Sequence, residues 1–291
     1  SVLDISYCKD NFVSSSCSVI KVSSNTMLIN QRMVSYRINK LDGSYHYSNS
    51  IETANRCLIN LGDTFHEVCY LQVDERYKQG LIHGIEDIRL YKHSVHGVVF
   101  IGTIVCASGC INLVLGYYPS MKLICELKSP FNRPVEKNYV FFDDDMIVYS
   151  LNPFVLLNYT GDVVYHKHQK DCELCEFRGS SNYIQHGDKK YAVVHKVIET
   201  HPRKYIHAFV CVDVDKNVTL SSTFVFENES IEFCVGLCES MDNFGVVLAY
   251  STWDSSSKLC NQGWEKIECL FHMHEKNTQE NNKKQTIQNE N

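Results

Sequence analysis

Residues 84–118 read "GIEDIRLYKHSVHGVVFIGTIVCASGCINLVLGYY", and this stretch decides the fold. A polar motif opens it, and short segments rich in Val, Ile and Tyr follow, separated by polar turns. β-Branched and aromatic residues between turn residues predict strands. The apolar part is interrupted by Gly102, Ser108, Gly109 and Asn112, so it falls short of the roughly 20 residues that a membrane helix needs. We predict two strands there, with a turn at Ser108–Gly109, and no membrane span.

The same order of motif, strand, turn and apolar strand recurs along the chain. Units begin near five positions: Phe12, Gly84, Glu136, Arg178 and Ser230. Their spacing of roughly 45 to 70 residues is typical of four-stranded propeller blades with their loops. The sequence therefore predicts an all-β fold, a five-bladed β-propeller with a central cavity. A β-sandwich with a similar number of strands is the main alternative.

The propeller is expected to fill residues 1–274 as a single domain. The last segment, residues 275–291, reads "EKNTQENNKKQTIQNEN". It has no hydrophobic face to bury, so we predict a polar, disordered tail.

The composition is that of an ordinary globular protein, with 44% hydrophobic and 21% charged residues. The net charge of −6 argues against a nucleic-acid binder, which needs positive charge to neutralise phosphates. The 14 cysteines are scattered through apolar segments, which favours free thiols and a cytoplasmic location over a disulfide framework. Cys172 and Cys175 have zinc-ligand spacing but lack a second Cys/His pair, so no metal site is expected.

An acidic pair, Glu86 and Asp87, opens the second unit and is followed by Arg89. Glycosidic chemistry needs a carboxyl group that protonates a leaving oxygen. A neighbouring carboxylate and an arginine tune the pKa of such an acid in opposite directions. A solvated surface turn is the simpler interpretation of these three residues taken alone.

Cations and a histidine follow in the third and fourth units. Lys137 in "EKNYVFF" lies beside a strand, where it would face the channel, although a snorkelling lysine explains it as well. Arg178 in "FRGSSNYI" precedes a small turn that suits an anion cradle, or is a plain β-turn. His195 ends the apolar strand "YAVVH", a position where a histidine is often a core residue.

Five further polar residues are candidates for the channel. Arg32 shares a strand face with Tyr36, and Asn55 is a candidate for the channel rim. Tyr205 and His207 lie in "RKYIHAF". Glu232 lies in an otherwise apolar strand and needs a partner there, for which Arg178 or Arg89 is predicted, in a structural or a substrate-binding role.

The opening strands of propeller blades line one channel, so these residues are predicted to converge. One or two carboxylates with several cations suit a reaction at a sugar beside a phosphate or a nucleotide diphosphate. The sequence contains no P-loop, no GxGxxG and no GxSxG motif, which excludes the function classes those motifs mark.

The motifs also resemble those of a known family. "GIEDIRL" resembles the G-x-E-D-P-R segment of the β-mannoside phosphorylase family of five-bladed propellers, and of the related propeller-fold β-1,2-mannosyltransferases. "EKNYV", "RGSS", "YAVVH" and "IEFCVGL" follow in the family's order, so the resemblance covers about residues 12–255. Ile88 stands where the family usually has proline, which predicts a looser turn beneath Asp87.

The resemblance implies an inverting glycosyl transfer, with mannose as the transferred sugar. Asp87 would be the general acid, held by Glu86 and Arg89, and the remaining sugar contacts would include Tyr205 and His207. The phosphate would meet three residues: Lys137, Arg178 and His195. Phosphate or a sugar nucleotide would serve as co-substrate, and no cofactor is implied. A non-catalytic propeller that binds glycans is the alternative.

Overall fold

The computed structural model describes residues 1–61, 64–71, 78–79, 81–106, 109–131 and 133–289. In these residues the chain forms 26 strands, numbered here in chain order, and one α-helix. The strands build five blades around a central axis, and a small separate hairpin. Neighbouring strands within the blades are antiparallel except for β10 (Ile82–His83) and β7 (Ile51–Leu61), which pair in parallel. The predicted five-bladed β-propeller is confirmed, and the alternative β-sandwich is wrong.

The blades follow one another along the chain. The first blade comprises β2 (Cys8–Lys9), β3 (Phe12–Ser23), β4 (Thr26–Val34), β7 (Ile51–Leu61), β8 (Thr64–Leu71), β9 (Lys78–Gln79) and β10 (Ile82–His83). The second comprises β11 (Glu86–His93), β12 (Gly97–Val105), β13 (Ile111–Tyr117) and β14 (Leu123–Leu127). The third comprises β15 (Val140–Phe141), β16 (Ile147–Leu151), β17 (Phe154–Leu157) and β18 (Val163–Lys167).

The last two blades and the hairpin complete the set. The fourth blade comprises β19 (Arg178–Gly179), β20 (Ile184–His186), β21 (Lys189–Ile198), β22 (Lys204–Val212) and β23 (Val218–Leu220). The fifth comprises β24 (Glu232–Glu239), β25 (Gly245–Thr252), β26 (Ser256–Gly263) and the N-terminal strand β1 (Val2–Asp4). The hairpin pairs β5 (Arg37–Ile38) with β6 (Tyr45–His46).

The N-terminal strand closes the ring. β1 pairs antiparallel with β26, so that Val2 lies opposite Cys260. The fifth blade therefore takes its outermost strand from the start of the chain, and the rest of its strands from the end. Closure of this kind protects a sheet edge that would otherwise be exposed.

The hydrophobic core is divided among the interfaces between blades. A separate cluster of buried side chains lies between the first and second blades, between each following pair, and between the fifth and first blades. At the interface of the second and third blades, the partly buried Tyr91 stacks on the fully buried Phe141, with ring centroids 4.7 Å apart. Each blade is thus held by two neighbours, which fixes where its opening strand meets the axis.

The predicted unit starts agree with the blades. β3 begins at Phe12 and β19 at Arg178, as predicted, and β11, β15 and β24 begin within a few residues of the other predicted starts. The apolar run of the opening stretch forms β12 and β13. Of the turn predicted between them, Ser108 lies outside the described residues, and Gly109 has a φ of 80°.

A helix that the sequence analysis did not predict follows the propeller. α1 (Trp264–Asn289) begins at the end of β26, and its first turns pack Trp264, Ile267, Leu270 and Phe271 on the fourth and fifth blades. Apolar residues three or four positions apart are typical of one face of a helix, and the sequence analysis did not recognise this pattern after the strands. The helix continues through residues 275–289, where a polar tail was expected; Glu, Lys and Gln are good helix formers even without a face to bury.

All 14 cysteines lie in the described part of the chain and are free, as predicted. Cys17, Cys57, Cys211, Cys234 and Cys238 are buried. Burial raises the pKa of Cys17 to about 12, so that thiol stays protonated at neutral pH. Among the described helical residues, no stretch combines the length and apolar character that crossing a membrane requires.

Candidate active site

A cavity of about 480 Å³ opens at one end of the propeller axis, within the usual range for small-ligand sites. Every blade contributes to its wall. Seven predicted site residues line it: Arg32, Glu86, Asp87, Lys137, Arg178, His195 and Tyr205. A larger cavity of about 590 Å³ lies between the first and fifth blades, but Asp242 is the one charged side chain among its described lining residues. The axial cavity is therefore the candidate site.

Two carboxylates share one guanidinium on the acidic side of this cavity. Arg32, on β4, donates from Nη1 to Oδ1 of Asp87 at 2.9 Å and from Nη2 to Oε1 of Glu86. The hydroxyl of Thr53 also donates to Glu86, at 3.3 Å. The first blade thus holds the acidic pair of the second blade.

The backbone at Asp87 is held in an unusual conformation. Its φ is 49°, in the left-handed region, and β11 has a bulge between Glu86 and Arg89. Asp and Asn tolerate this region better than most residues. The bulge turns both carboxylates toward the cavity, where a regular strand would send adjacent side chains to opposite faces.

The residues on both sides of Asp87 fix this turn. Ile88 is buried in the cluster between the first and second blades. Gly84 has a φ of 95°, and a Cβ there would lie 2.2 Å from the carbonyl oxygen of Thr53. The side chain of Ile88 therefore anchors the segment that carries Asp87 in the core.

Arg89 supports the site from behind and does not line the cavity. It is fully buried and donates to the carbonyl oxygens of Asp87, at 2.9 Å, and Ser180, at 2.7 Å. Its Nη2 lies 3.4 Å from Oδ1 of Asn138. Arg89 thus joins three blades at the axis. Burial lowers its pKa from the usual value.

Burial and neighbouring charges shift the pKa values of Arg32 and Glu86. Burial alone would lower the pKa of Arg32, but the charges of Glu86 and other neighbours outweigh it and hold that pKa well above its usual value. Burial raises the pKa of Glu86, against the opposing effect of Arg32. The nearby charge of Asp87 raises it further, because two carboxylates share one cation.

The wall of the cavity also carries cations. Lys137 and Arg178 are exposed and line the wall. Within the part of the chain that the structure describes, neither side chain forms a hydrogen bond or an ion pair with another residue. Their positive charge is therefore available to an anion in the cavity.

His195 lies beside these cations, opposite Arg178 in the register of β19 and β21. Its Nδ1 is 3.2 Å from the hydroxyl of Ser180, which itself donates to the carbonyl oxygen of Cys234 at 2.5 Å. Because that hydroxyl proton is used, Nδ1 carries the hydrogen and Nε2 keeps its lone pair. Burial, with the nearby cations, lowers the pKa of His195 well below its usual value, so the ring is neutral.

A second acidic group completes the rim, and the sequence analysis missed it. Asp254, in the turn between β25 and β26, accepts from the hydroxyl of Tyr36 at 2.7 Å and from that of Ser15 at 2.8 Å. On the β5–β6 hairpin, Tyr45 accepts from Arg203 at 2.6 Å. The stretch "TWDSSS" has no motif that marks Asp254, whereas the Asp42–Gly43 pair is a turn signal that indicates the hairpin.

Besides Arg89, three predicted residues do not reach the cavity. Asn55 is one strand farther out, opposite Arg32, and donates to the carbonyl oxygen of Ile85 at 3.1 Å. His207 lies opposite His195 on the next strand, β22. It is fully buried, and its two ring nitrogens have no hydrogen-bond partner among the described residues. Both residues lie one strand farther from the axis than the cavity residue they pair with, and both are buried.

Glu232 is the third. It is fully buried, and its carboxylate accepts three backbone N–H groups, from Phe226, Glu227 and Glu229, at 2.7 to 2.8 Å. The predicted ion pair with Arg178 or Arg89 is absent among the described residues. Backbone donors satisfy the buried charge in its place.

Comparison with known proteins gives structural likeness only. No family model matches the chain, and no curated protein matches it in sequence. The β-1,2-mannobiose phosphorylase from Listeria innocua, solved with β-1,2-mannobiose, is similar with a TM-score of 0.60 and 13% identity, over 92% of this chain and 95% of that one.

Two structures from Leishmania mexicana are also similar. A mannose phosphorylase in complex with phosphate ion gives a TM-score of 0.54 and 13% identity, over 88% of this chain and 85% of that one. A GDP-Man-dependent mannosyltransferase gives a TM-score of 0.56 and 11% identity, over 91% of this chain and 89% of that one. At these identities the likeness establishes the fold: the chain is a five-bladed β-propeller of the kind that these solved structures share.

Proposed function

We propose that the axial cavity transfers a glycosyl group, a mannosyl group by resemblance, with inversion between a sugar hydroxyl and a phosphate-bearing partner. One observation carries the proposal: Asp87 and Glu86 line the same cavity as Lys137 and Arg178. Carboxylates suit proton transfer at a glycosidic oxygen, and unpaired cations suit phosphate.

In the phosphorolysis direction, Asp87 in its protonated form supplies the proton. The acid protonates the glycosidic oxygen, directly or through a sugar hydroxyl, while a phosphate oxygen attacks C1 from the opposite face. The bond between C1 and the glycosidic oxygen breaks, and the bond from C1 to phosphate forms. The products are a sugar 1-phosphate and a sugar whose new hydroxyl carries the proton from Asp87.

In the transfer direction the same carboxylate acts as a base. It takes the proton of the acceptor hydroxyl as that oxygen attacks C1, and the phosphate leaves with the electron pair of the broken bond. Both directions need a single protein carboxyl, because phosphate needs no base to activate it. The neutral ring of His195 accepts a hydrogen bond at Nε2, from a sugar hydroxyl or from a protonated phosphate oxygen.

The solved relatives support this assignment. Their names include two phosphorylases of mannose or mannobiose and one mannosyltransferase, and one of the structures contains phosphate. The motif resemblance points to the same chemistry from the sequence.

A turnover assay tests the proposal. The protein is incubated with β-1,2-mannobiose and phosphate, with mannose 1-phosphate and mannose, and with GDP-mannose and mannose, and the products are resolved by chromatography. We expect turnover with at least one pair. Binding of manno-oligosaccharides without turnover of any pair would contradict the proposal and favour the non-catalytic glycan-binding propeller.

A further inference from the structure

Cys172 and Cys175 form a motif that the proposed reaction leaves without a role. They belong to the stretch "CELCEF", residues 172–177. The structure places this stretch in a short 3₁₀ helix, Cys172–Glu176, which leads into β19 and thus into Arg178.

A period of three residues sorts the side chains of this helix. In a 3₁₀ helix, side chains three positions apart lie on the same face. Leu174 and Phe177, the residue that caps the helix, share a buried face in the cluster between the third and fourth blades. Cys172 and Cys175 share another face, and both are exposed. The buried residues fix the turn, so the folded chain holds the two thiols side by side.

The spacing of the two cysteines suits a disulfide. A 3₁₀ helix rises about 2.0 Å per residue, which separates the Cα atoms of Cys172 and Cys175 by about 6 Å along the helix axis. Disulfides join Cα atoms that are about 4.4 to 6.8 Å apart. The bond therefore needs little movement of the backbone.

Another pair of cysteines lacks this reactivity. Cys57 on β7 lies opposite Cys69 on β8, but Cys57 is fully buried. Burial raises the pKa of Cys57 to about 11, so its thiol stays protonated at neutral pH. The thiolate is the form that attacks a disulfide, and the oxidant must also reach it. Exposure distinguishes the pair in the 3₁₀ helix.

Cys175 also lies at the wall of a cavity. A second cavity, of about 460 Å³, adjoins the axial one, and its lining includes Cys175, Lys137 and Arg178. The two cations line the axial cavity as well. A group attached to the sulfur of Cys175 would therefore lie beside the cations that the proposed reaction uses.

We propose that Cys172 and Cys175 form a reversible disulfide, through which Cys172 removes thiol adducts from Cys175. The oxidant is a low-molecular-weight disulfide, such as oxidised glutathione. The Cys175 thiolate attacks one sulfur of the oxidant, and one thiolate leaves. The Cys172 thiolate then attacks the sulfur of Cys175, and the second thiolate leaves. Two cysteine thiols are oxidised to one disulfide, and the oxidant is reduced to two thiols, which take up the two protons that the cysteines lose.

The disulfide is independent of the proposed function, but its effect on the cavity rests on that function. Glutathione attached to Cys175 would bring a bulky group with carboxylates beside Lys137 and Arg178, where it competes with phosphate. The internal disulfide adds no atoms to the cavity, so the cations stay accessible.

Peptide mass spectrometry of the full chain tests the pair. The reduced protein is incubated with oxidised glutathione under native conditions, and the remaining thiols are blocked before digestion. We expect a disulfide between Cys172 and Cys175 and little glutathione on either. Cys8 and Cys269 are the controls, because both are exposed and neither has another cysteine within three positions. They should keep the glutathione.

Two variants separate the steps. Cys172→Ser should trap glutathione on Cys175 and weaken the binding of inorganic phosphate by about tenfold, because the adduct competes for two charge-assisted contacts. Reduction with dithiothreitol should restore binding. After the same treatment, Cys175→Ser should bind phosphate as the unchanged protein does. Thermal unfolding of both variants controls for loss of folding.

The results separate the inference from the proposed function. Glutathione retained on Cys172 and Cys175 as on Cys8 and Cys269, without an internal disulfide, would overturn the inference. A trapped adduct in Cys172→Ser that leaves phosphate binding unchanged would overturn the role assigned to the Cys175 position. Failure of phosphate to bind the reduced protein would contradict the proposed function, while an internal disulfide in the same sample would still support the thiol pair.

Discussion

Arg32 and Asp87 belong to different blades and lie 2.9 Å apart, from Nη1 to Oδ1. The same guanidinium contacts Glu86, so one cation of the first blade aligns both acids of the second. The contact makes the candidate site dependent on the assembly of the ring. It also links the proposed chemistry to stability, since removal of Arg32 leaves two carboxylates adjacent and without a counter-charge.

Replacement of Arg32 by Met should destabilise the protein by about 3 to 5 kcal/mol at about pH 7, the usual effect of removing one partner of a buried ion pair. Without the guanidinium, the pKa of Glu86 rises, because Arg32 is the neighbour that lowers it. Protonation of the folded state then restores stability as the pH falls, so the loss should be smaller at about pH 5. Chemical unfolding at both pH values measures the difference.

A more exposed ion pair provides the control for this variant. Arg56 contacts Glu67 at 2.5 Å, but the Glu67 side chain is 38% exposed, against 19% for Glu86. Arg56→Met should cost about 1 kcal/mol or less. Equal losses in the two variants, or a loss for Arg32→Met that does not change with pH, would contradict this account.

The two unpaired cations should matter for one class of ligand. Lys137→Ala and Arg178→Ala should each weaken binding of the phosphate-bearing ligand by about tenfold or more, because each removes a charge-assisted contact. Affinity for the sugar acceptor should change less. Titration with each ligand separately measures this. Lys196→Ala, which removes a lysine paired with Glu176 at 3.0 Å, is the control, and an equal effect on both ligands would refute the assignment.

The turn before the acidic pair should tolerate no side chain. Gly84→Ala combines a φ of 95° with a Cβ that would meet the Thr53 carbonyl oxygen, so we expect a loss of stability of more than about 2 kcal/mol. Gly97→Ala has a similar φ, 72°, but nothing within 4 Å of the added Cβ, and should cost about 1 kcal/mol. Urea unfolding compares them, and equal losses would mean that the close approach is unimportant.

Acid should destabilise the protein partly through His207. Burial lowers the pKa of His207 from 6.5 to about 3, so only the unfolded chain binds that proton between these values. Stability is therefore lost as the pH falls below 6.5, by up to roughly 1.4 kcal/mol per pH unit for this group. His207→Phe removes this contribution, and its stability should fall less steeply between about pH 6 and pH 4. Unfolding measured across that range gives the slope of stability against pH for each protein. Equal slopes for His207→Phe and the unchanged protein would contradict the prediction.

The sequence predicted the ring but not every wall of its cavity. The opening strands could be located because turn residues and β-branched runs recur in each unit. Their first polar residues then had to meet at the axis, which placed Asp87, Lys137 and Arg178 together. Asp254 reaches the cavity from the turn between β25 and β26, and no periodic pattern of residue types marks such a position.

The sequence also could not distinguish strands near the axis from those behind them. His195 and His207 lie on neighbouring strands and are both histidines in apolar surroundings, yet only the first lines the cavity. A carboxylate in an apolar strand, Glu232 was predicted to form an ion pair. Its actual partners are backbone N–H groups, which the residue types of a sequence do not reveal. The fold therefore follows from patterns of residue type, while the details of the site depend on blade geometry.

The most direct test of the central claim is the turnover of Asp87→Asn. Asn also tolerates the left-handed φ of 49° at this position, so the backbone should be kept while the acid is removed. We expect turnover to fall by about 10²-fold or more, with the affinities for sugar and phosphate ligands and the unfolding temperature close to those of the unchanged protein. Turnover within a few-fold of the unchanged protein would contradict the assignment of Asp87 as the acid on which the proposed reaction depends.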